Sequence, residues 1–136
     1  MKEFEFFVNK GDVKKQSPDE HLSNAAFKEC LERLELTKGV LQKARPKYIL
    51  ENAYEAMREA ADAVLYRDGF KSYSHEASIV YLRKKGFSES DLIEFDRFRK
   101  IRNDIKYYGG DCDNADAEIA LKMAEKIIGK IKSRLV

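Results

Sequence analysis

Side chains suited to phosphate and nucleotide chemistry are concentrated near the end of one predicted helix, at Arg99, Arg102, Asn103, Lys106 and Tyr107. An arginine guanidinium holds a phosphate through two parallel hydrogen bonds, and a tyrosine ring offers a surface for base stacking. Asn103 is suited to position a ribose or to fix Arg102. The stretch therefore predicts contact with a nucleotide or an RNA. The alternative is that these cations complement the helix dipole or pair with acidic side chains.

Arg102 lies at the edge of the apolar face of this helix, where an unpaired charge costs free energy. It therefore needs a partner. The candidates are Glu94, Asp96, a group on another helix and a ligand. An ideal helix separates Arg102 from Tyr107 by roughly 140°. We expect the two to converge only if the helix ends or bends near Lys106, or if a partner subunit completes the site.

His75 is a further candidate binding residue, at the start of the preceding predicted helix. A functional role requires that the fold bring it near Arg102; a local hydrogen bond or a capping role is the alternative. A basic run on the last predicted helix is either a solvated face or a phosphate-contacting wall beside Arg102. The run consists of Lys122, Lys126, Lys130, Lys132 and Arg134.

Cysteine usage and acidic patterning give no prediction of a metal or another cofactor. Cys30 and Cys112 fit no zinc-binding spacing and are interpreted as reduced thiols. The segment 111–116 alternates acidic residues as a calcium loop does, but Asp116 stands where such a loop needs glycine, and Lys122 stands where it needs glutamate. Acidic residues at the start of a helix need no metal.

Composition excludes a dedicated non-specific nucleic-acid binder. The chain has 136 residues, with 26 Lys+Arg against 24 Asp+Glu and a net charge of +2. Such binders are usually more basic, so any contact with nucleic acid must come from a local patch. No apolar run approaches the ~20 residues that span a bilayer, and the N-terminus does not fit a signal peptide. We expect a single-domain cytoplasmic protein without membrane contact.

Capping residues, prolines and glycines divide the chain into five predicted helices. These run at about 18–44, at about 46–68, from Ser72 or Ser74 to Gly86, from Ser88 to about 107, and from Asp113 or Asn114 onward. No strand pattern follows residue 10, and residues 4–8 are either an extended arm or a helical turn. The prediction is an all-α fold, a single up-and-down-type bundle of about five helices, with an N-terminal arm at 1–16 and the helical domain at 17–136.

Three features together resemble a known family of helical domains. The central helix at 52–65 is rich in tyrosine and alanine, Ser74–His75 begins the next helix, and Arg102–Asn103 is followed by Tyr107–Tyr108. On these residues, the stretch 18–134 resembles the HEPN family (higher eukaryotes and prokaryotes nucleotide-binding). The chain departs from the family's ribonuclease motif because Tyr107 stands in the region where that motif has histidine. A phenol is a poor general base at neutral pH.

The resemblance implies a two-fold homodimer in which the late-helix motifs of both subunits line a shared cleft. Many relatives are metal-independent ribonucleases, many belong to toxin–antitoxin pairs with a nucleotidyltransferase, and others are binding domains without catalysis. The first expectation here is therefore a nucleotide- or RNA-binding domain with weak or no catalysis. The second is a toxin-type ribonuclease with Arg102, Asn103 and Tyr107 as catalytic residues. The third is an interaction partner of a separate nucleotidyltransferase.

Overall fold

Six α-helices and one two-stranded sheet make up the computed structural model, which describes residues 1–135. In chain order the elements are α1 (Phe4–Lys10), β1 (Val13–Lys15), α2 (Glu20–Lys38), α3 (Pro46–Asp68), β2 (Phe70–Ser72), α4 (His75–Tyr81), α5 (Glu89–Tyr108) and α6 (Asn114–Leu135). Short 3-10 helices follow α2 and α4, at Val40–Lys43 and Leu82–Lys85. The prediction of an all-α fold is confirmed.

Helix α3 lies at the centre of the molecule and packs against α2, α4, α5 and α6. Its buried side chains cover most of its circumference, and five of them are alanines, which let neighbouring backbones approach closely. The large residues Leu50, Tyr54 and Met57 are fully buried along it. This central position agrees with the apolar and alanine residues that cover two faces of its sequence pattern. Helix α5 packs across α3 and α4, and that crossing creates the site described below.

Two local predictions are wrong. The first long helix ends at Lys38 rather than near residue 44, because the chain leaves helical geometry at Gly39 before the short 3-10 turn. The expectation of no strand after residue 10 fails because β1 and β2 pair antiparallel, with Lys14 opposite Lys71. Strands of three residues are too short to show a period of two.

The N-terminal residues fold onto the bundle. Residues 4–10 are helical, which resolves the choice between an extended arm and a helical turn. Phe4 and Phe7 are buried, and the Phe4 ring lies 4.6 Å from the Tyr81 ring and 5.3 Å from the Phe70 ring, centroid to centroid. The segment 1–16, predicted to be an arm, therefore supplies a helix, a strand and part of the same hydrophobic core.

Candidate functional site: a cleft between α4 and α5

A shallow surface cleft of about 270 Å³ lies between the start of α4 and the second half of α5. Its lining residues are Ser74, His75, Glu76, Arg99, Arg102, Asn103 and Tyr107. The fold thus brings together the candidate binding residues except Lys106. That lysine is exposed outside the cleft, with its ammonium 5.9 Å from the centre of the Tyr107 ring. The grouping joins side chains from two helices that are well separated in sequence.

Local capping fixes the α4 side of the cleft. The Ser74 hydroxyl accepts a hydrogen bond from the backbone N–H of Ala77 at 3.2 Å, so α4 begins at His75. Ser72 donates its hydroxyl to the Ser74 carbonyl at 2.7 Å, which ties the end of β2 to this cap. His75 therefore stands in the first turn of α4 and lines the same cleft as Arg102. The fold thus brings His75 near Arg102, which is the condition for a functional role of His75.

Arg102 is buried at the floor of the cleft, with 7% of its surface exposed. Its Nη2 donates to the Glu55 carboxylate at 2.9 Å, and its Nη1 donates to the Asn103 side-chain oxygen at 3.1 Å. The partner is thus a residue of α3, and neither Glu94 nor Asp96 fills that role. Two hydrogen bonds from one guanidinium hold the plane of the group in a fixed orientation.

Arg102 and Tyr107 converge within one unbroken helix. Helix α5 remains helical through Tyr108, and the Arg102 guanidinium carbon lies 6.0 Å from the centre of the Tyr107 ring. The helix ends at Tyr108, two residues after Lys106, and the two side chains converge within one chain, without a residue from a partner subunit. A helical wheel describes where side chains leave the backbone, and the long arginine side chain spans the remaining angle.

Glu55 connects Arg102 to a chain of alternating charges along α3. Its other carboxylate oxygen accepts hydrogen bonds from Arg58 at 2.9 and 3.1 Å. Arg58 also donates to Asp62 at 2.8 Å, and Asp62 accepts from the Ser78 hydroxyl of α4 at 2.8 Å. Burial opposes ionisation of Glu55, but the two guanidiniums outweigh it and hold its pKa below the ordinary value. At Asp62 burial prevails, and the pKa is raised.

Arg99 lines the cleft close to Arg102 on α5. Its Nε donates to the Asp96 carboxylate at 2.7 Å. One of its terminal nitrogens lies 3.5 Å from a Glu76 carboxylate oxygen, and the Glu76 side chain is 48% exposed. The contact with Asp96 is short and shielded, whereas the contact with Glu76 is long and open to water. Exposed ion pairs of the second kind contribute little free energy and are easily displaced.

His75 contacts the buried Tyr54 through its inner ring nitrogen. The Tyr54 hydroxyl and the His75 Nδ1 lie 3.0 Å apart, and the two rings stack with their centroids 5.9 Å apart. Burial lowers the pKa of His75 to about 4, and the nearby positive charges of Arg58 and Arg102 add to the effect. The imidazole is therefore neutral at pH 7. The cleft is then lined by two cations, a neutral imidazole, an amide and a phenol, together with the Glu76 carboxylate and the Ser74 hydroxyl.

Sequence reasoning did not select Tyr54 or Glu55 as candidate residues, although Tyr54 contacts His75 and Glu55 contacts Arg102. In the sequence, Tyr54 fits the core pattern of α3, and Glu55 resembles an ordinary solvated charge. The available signal was the spacing of Glu55, Arg58 and Asp62, because residues three and four apart share one helix face and can form ion pairs. Nothing in that spacing shows that the end of the array contacts α5.

Two lysines of the basic run on α6, Lys126 and Lys130, do not lie beside Arg102 as a phosphate-contacting wall would require. Lys126 and Lys130 donate to the buried carboxylate of Asp91 at 2.8 and 3.0 Å. Asp91 lies in the first turn of α5, and Arg102 is about 16 Å further along the helix axis at 1.5 Å per residue. These two lysines bind α6 to the start of α5 instead.

The remaining candidate groups have local structural roles. Asp111 accepts a hydrogen bond from Arg45 at 3.1 Å, and Asp113 caps the first turn of α6 through the Asp116 N–H. Cys30 is buried, and both cysteines are free thiols. Within residues 1–135, no group of three His, Cys, Asp or Glu side chains is arranged to hold a metal ion. Over the same range, none of the helices combines the length and the apolar character needed to cross a membrane.

Comparison with protein-family models and with curated proteins gave no match to this chain.

Proposed function

We propose that this protein is a HEPN-like helical domain that binds a nucleotide or RNA at the cleft between α4 and α5, with weak or no catalysis. The observation that supports this proposal best is the arrangement of Arg102, Arg99, Asn103 and His75 around one opening. Guanidinium, amide and imidazole N–H groups are the donors that bind phosphate and ribose oxygens. Tyr107, which is 62% exposed, adds an aromatic face for stacking against a base.

The ion pairs of the cleft favour exchange of one carboxylate for a phosphate. Arg102 keeps its orientation because Glu55 holds it from below, inside the protein. Arg99 keeps its short contact with Asp96, but its contact with Glu76 is long and at the cleft mouth. A phosphate entering the cleft would displace the exposed Glu76 carboxylate from Arg99 at low cost. Arg99 would then attract the phosphate by its charge at the cleft mouth, and Arg102 at the floor would already be held in a fixed orientation.

The groups in the cleft that could transfer a proton are poorly suited to catalysis at neutral pH. A general acid or base acts best with a pKa near the working pH. The pKa of His75 lies at about 4, far from neutrality. Tyr107 stands where the family's ribonuclease motif has histidine, and a phenol is a weak base at pH 7. We therefore expect binding to exceed catalysis.

Substitution of Arg102 tests the binding proposal. Fluorescence anisotropy with a labelled mixed-sequence RNA should show affinity about tenfold lower for Arg102→Ala, because a charged hydrogen-bonding group at the floor is lost. Affinity should also fall steeply as salt rises. Removing the competing carboxylate with Glu76→Gln should tighten binding severalfold, since Arg99 is then freed for the ligand.

Arg97→Ala is the matched control, because it removes the same charge from the same helix. Arg97 pairs with Glu94 at 2.9 Å and lies outside the cleft lining. Its loss should change affinity only slightly. Equal losses for Arg97→Ala and Arg102→Ala, or an affinity that stays flat with salt, would contradict binding in the cleft.

A metal-independent, toxin-type ribonuclease is the second candidate, favoured by the placement of His75 in the same cleft as Arg102 and Tyr107. The decisive assay incubates mixed-sequence RNA in EDTA with wild-type protein and with Arg102→Ala. Cleavage by the wild type alone would establish a ribonuclease and refute weak catalysis. Without cleavage, RNA binding supports the first proposal. A stable complex with a nucleotidyltransferase and no RNA affinity would support the partner role instead.

The homodimer belongs to the same proposal. A two-fold pair would place two copies of the cleft close together, as the resemblance to HEPN domains implies. Sedimentation equilibrium at micromolar concentration measures this directly. A monomer would restrict the site to the groups of one chain.

A further inference from the structure

The buried ring of Tyr54 contacts both His75 and Arg102, two of the residues that line the cleft. The side chain is fully buried in the middle of α3. Its ring stacks on His75, and the Arg102 guanidinium carbon lies 5.7 Å from its centre. Phe95 packs edge-on against the ring from the core side, with the centroids 5.7 Å apart. Tyr54 is therefore held by the core and in turn contacts two residues that line the cleft, His75 and Arg102.

The Tyr54 hydroxyl needs a hydrogen-bond acceptor, because a buried donor without a partner costs free energy. Within residues 1–135, its one hydrogen bond is the 3.0 Å contact with Nδ1 of His75. Burial raises the pKa of this hydroxyl well above its ordinary range, so it keeps its proton. His75 is neutral at pH 7, so one of its ring nitrogens is free to accept.

We infer that Tyr54 is a positioning residue of the cleft, whose hydroxyl donates to Nδ1 of His75 and fixes the imidazole as the Nε2–H tautomer. The opposite arrangement, with Nδ1–H donating to the phenol oxygen, leaves the phenol proton buried without an acceptor. Since Tyr54 occupies the Nδ1 edge of the ring, the Nε2 edge is left for the cleft. His75 then offers an N–H donor to an incoming anion.

This inference rests on the proposed function and sharpens it. With Nε2 protonated, the imidazole joins the guanidiniums and the amide as a hydrogen-bond donor, a set suited to phosphate oxygens. The same tautomer has no accepting nitrogen at the cleft, so His75 cannot take a proton from a ribose hydroxyl there. The tautomer thus favours anion binding over general-base catalysis at this position.

The tautomer is measurable in the wild-type protein without any substitution. Long-range ¹H–¹⁵N correlation spectra distinguish a protonated from an unprotonated ring nitrogen at each histidine. The chain has two histidines, and His21, which is exposed on α2, serves as the internal reference. At pH 7 we expect His75 to show protonated Nε2 and unprotonated Nδ1. Protonated Nδ1 in His75 would overturn the inference.

Tyr54→Phe keeps the ring and removes the hydroxyl, so it separates positioning from packing. We expect the His75 signals to shift toward a mixture of tautomers and the affinity for inorganic pyrophosphate to fall about fivefold, as for loss of one hydrogen bond. The matched control is Tyr81→Phe, which removes another buried hydroxyl, one that donates to Asp68 away from the cleft. That variant should leave both readouts unchanged.

The outcomes separate the two proposals. An unchanged tautomer in Tyr54→Phe would overturn the positioning role, whatever the affinity. If wild-type protein fails to bind pyrophosphate or RNA, the proposed function fails, and the tautomer in the free protein still decides the role of Tyr54.

Discussion

Replacing Glu55 with alanine should lower the free energy of unfolding by about 3 kcal/mol, because it leaves two partly buried guanidiniums without their shared carboxylate. Glu55 contacts Arg102 at 2.9 Å and Arg58 at 2.9 Å, and its side chain is 20% exposed. Loss of one partner from a buried ion pair typically costs about 3–5 kcal/mol, and partial access to water places this site at the lower end. Urea unfolding followed by circular dichroism measures the change.

Glu51→Ala is the matched control, since Glu51 is a half-buried glutamate one turn earlier on α3. We expect its cost to stay within about 0.5 kcal/mol. Similar midpoints for Glu55→Ala and the wild type would show that Glu55 contributes no net stability.

The cost of losing Glu55 should depend on pH in one direction. The folded state lowers the pKa of Glu55 from its ordinary value of 4.5. A lowered carboxyl pKa gives stability that is present above 4.5 and is lost as the pH falls through the folded value. Against Glu55→Gln, which keeps the shape, the wild-type advantage should therefore be full at pH 7 and shrink below pH 4.5.

Replacing Phe95 with alanine should cost about 3–5 kcal/mol and should also weaken ligand binding, although Phe95 does not line the cleft. The side chain is fully buried, and it supports the Tyr54 ring from the core side. A cavity there allows Tyr54 to move, and with it the two groups that the ring contacts. Chemical unfolding gives the stability change, and RNA anisotropy in the absence of denaturant gives the binding change.

Ile127→Ala separates the two effects of Phe95. Ile127 is buried on α6, and its truncation should cost about 2–5 kcal/mol. We expect it to leave RNA affinity unchanged, because α6 packs on α3 away from the cleft lining. If both variants weaken binding equally, general loosening of the core explains the result, and the support of Tyr54 by Phe95 has no special role.

The long helices could be predicted from sequence because each carries its own periodic pattern and boundary signals. Ser88 caps α5 as expected, with its hydroxyl accepting from the Asp91 N–H at 3.1 Å, and Gly69 ends α3 in the left-handed conformation. The strand β1 carries no such signal, since two of its three residues are lysines. Its formation depends on a partner far along the chain, which local patterns do not contain.

The candidate site could be predicted in part for the same reason. Arg99, Arg102 and Tyr107 occur close together near the end of one predicted helix, so the sequence alone indicated them as a group. His75 belongs to another helix, and only the packing of α4 on α5 places it in the cleft. Tyr54 is an apolar-face residue by every local criterion, and its contact with His75 arises from tertiary structure alone.

The small sheet links the folding of the N-terminus to the assembly of the cleft. The β1–β2 pairing continues to Tyr73, whose N–H donates to the Asp12 carbonyl at 2.8 Å, directly before the Ser74 cap of α4. Closing contacts so distant in sequence is slow relative to forming local helical turns. We therefore expect docking of the N-terminal segment to be a late step in folding, and this step fastens the backbone directly before the Ser74 cap that positions His75.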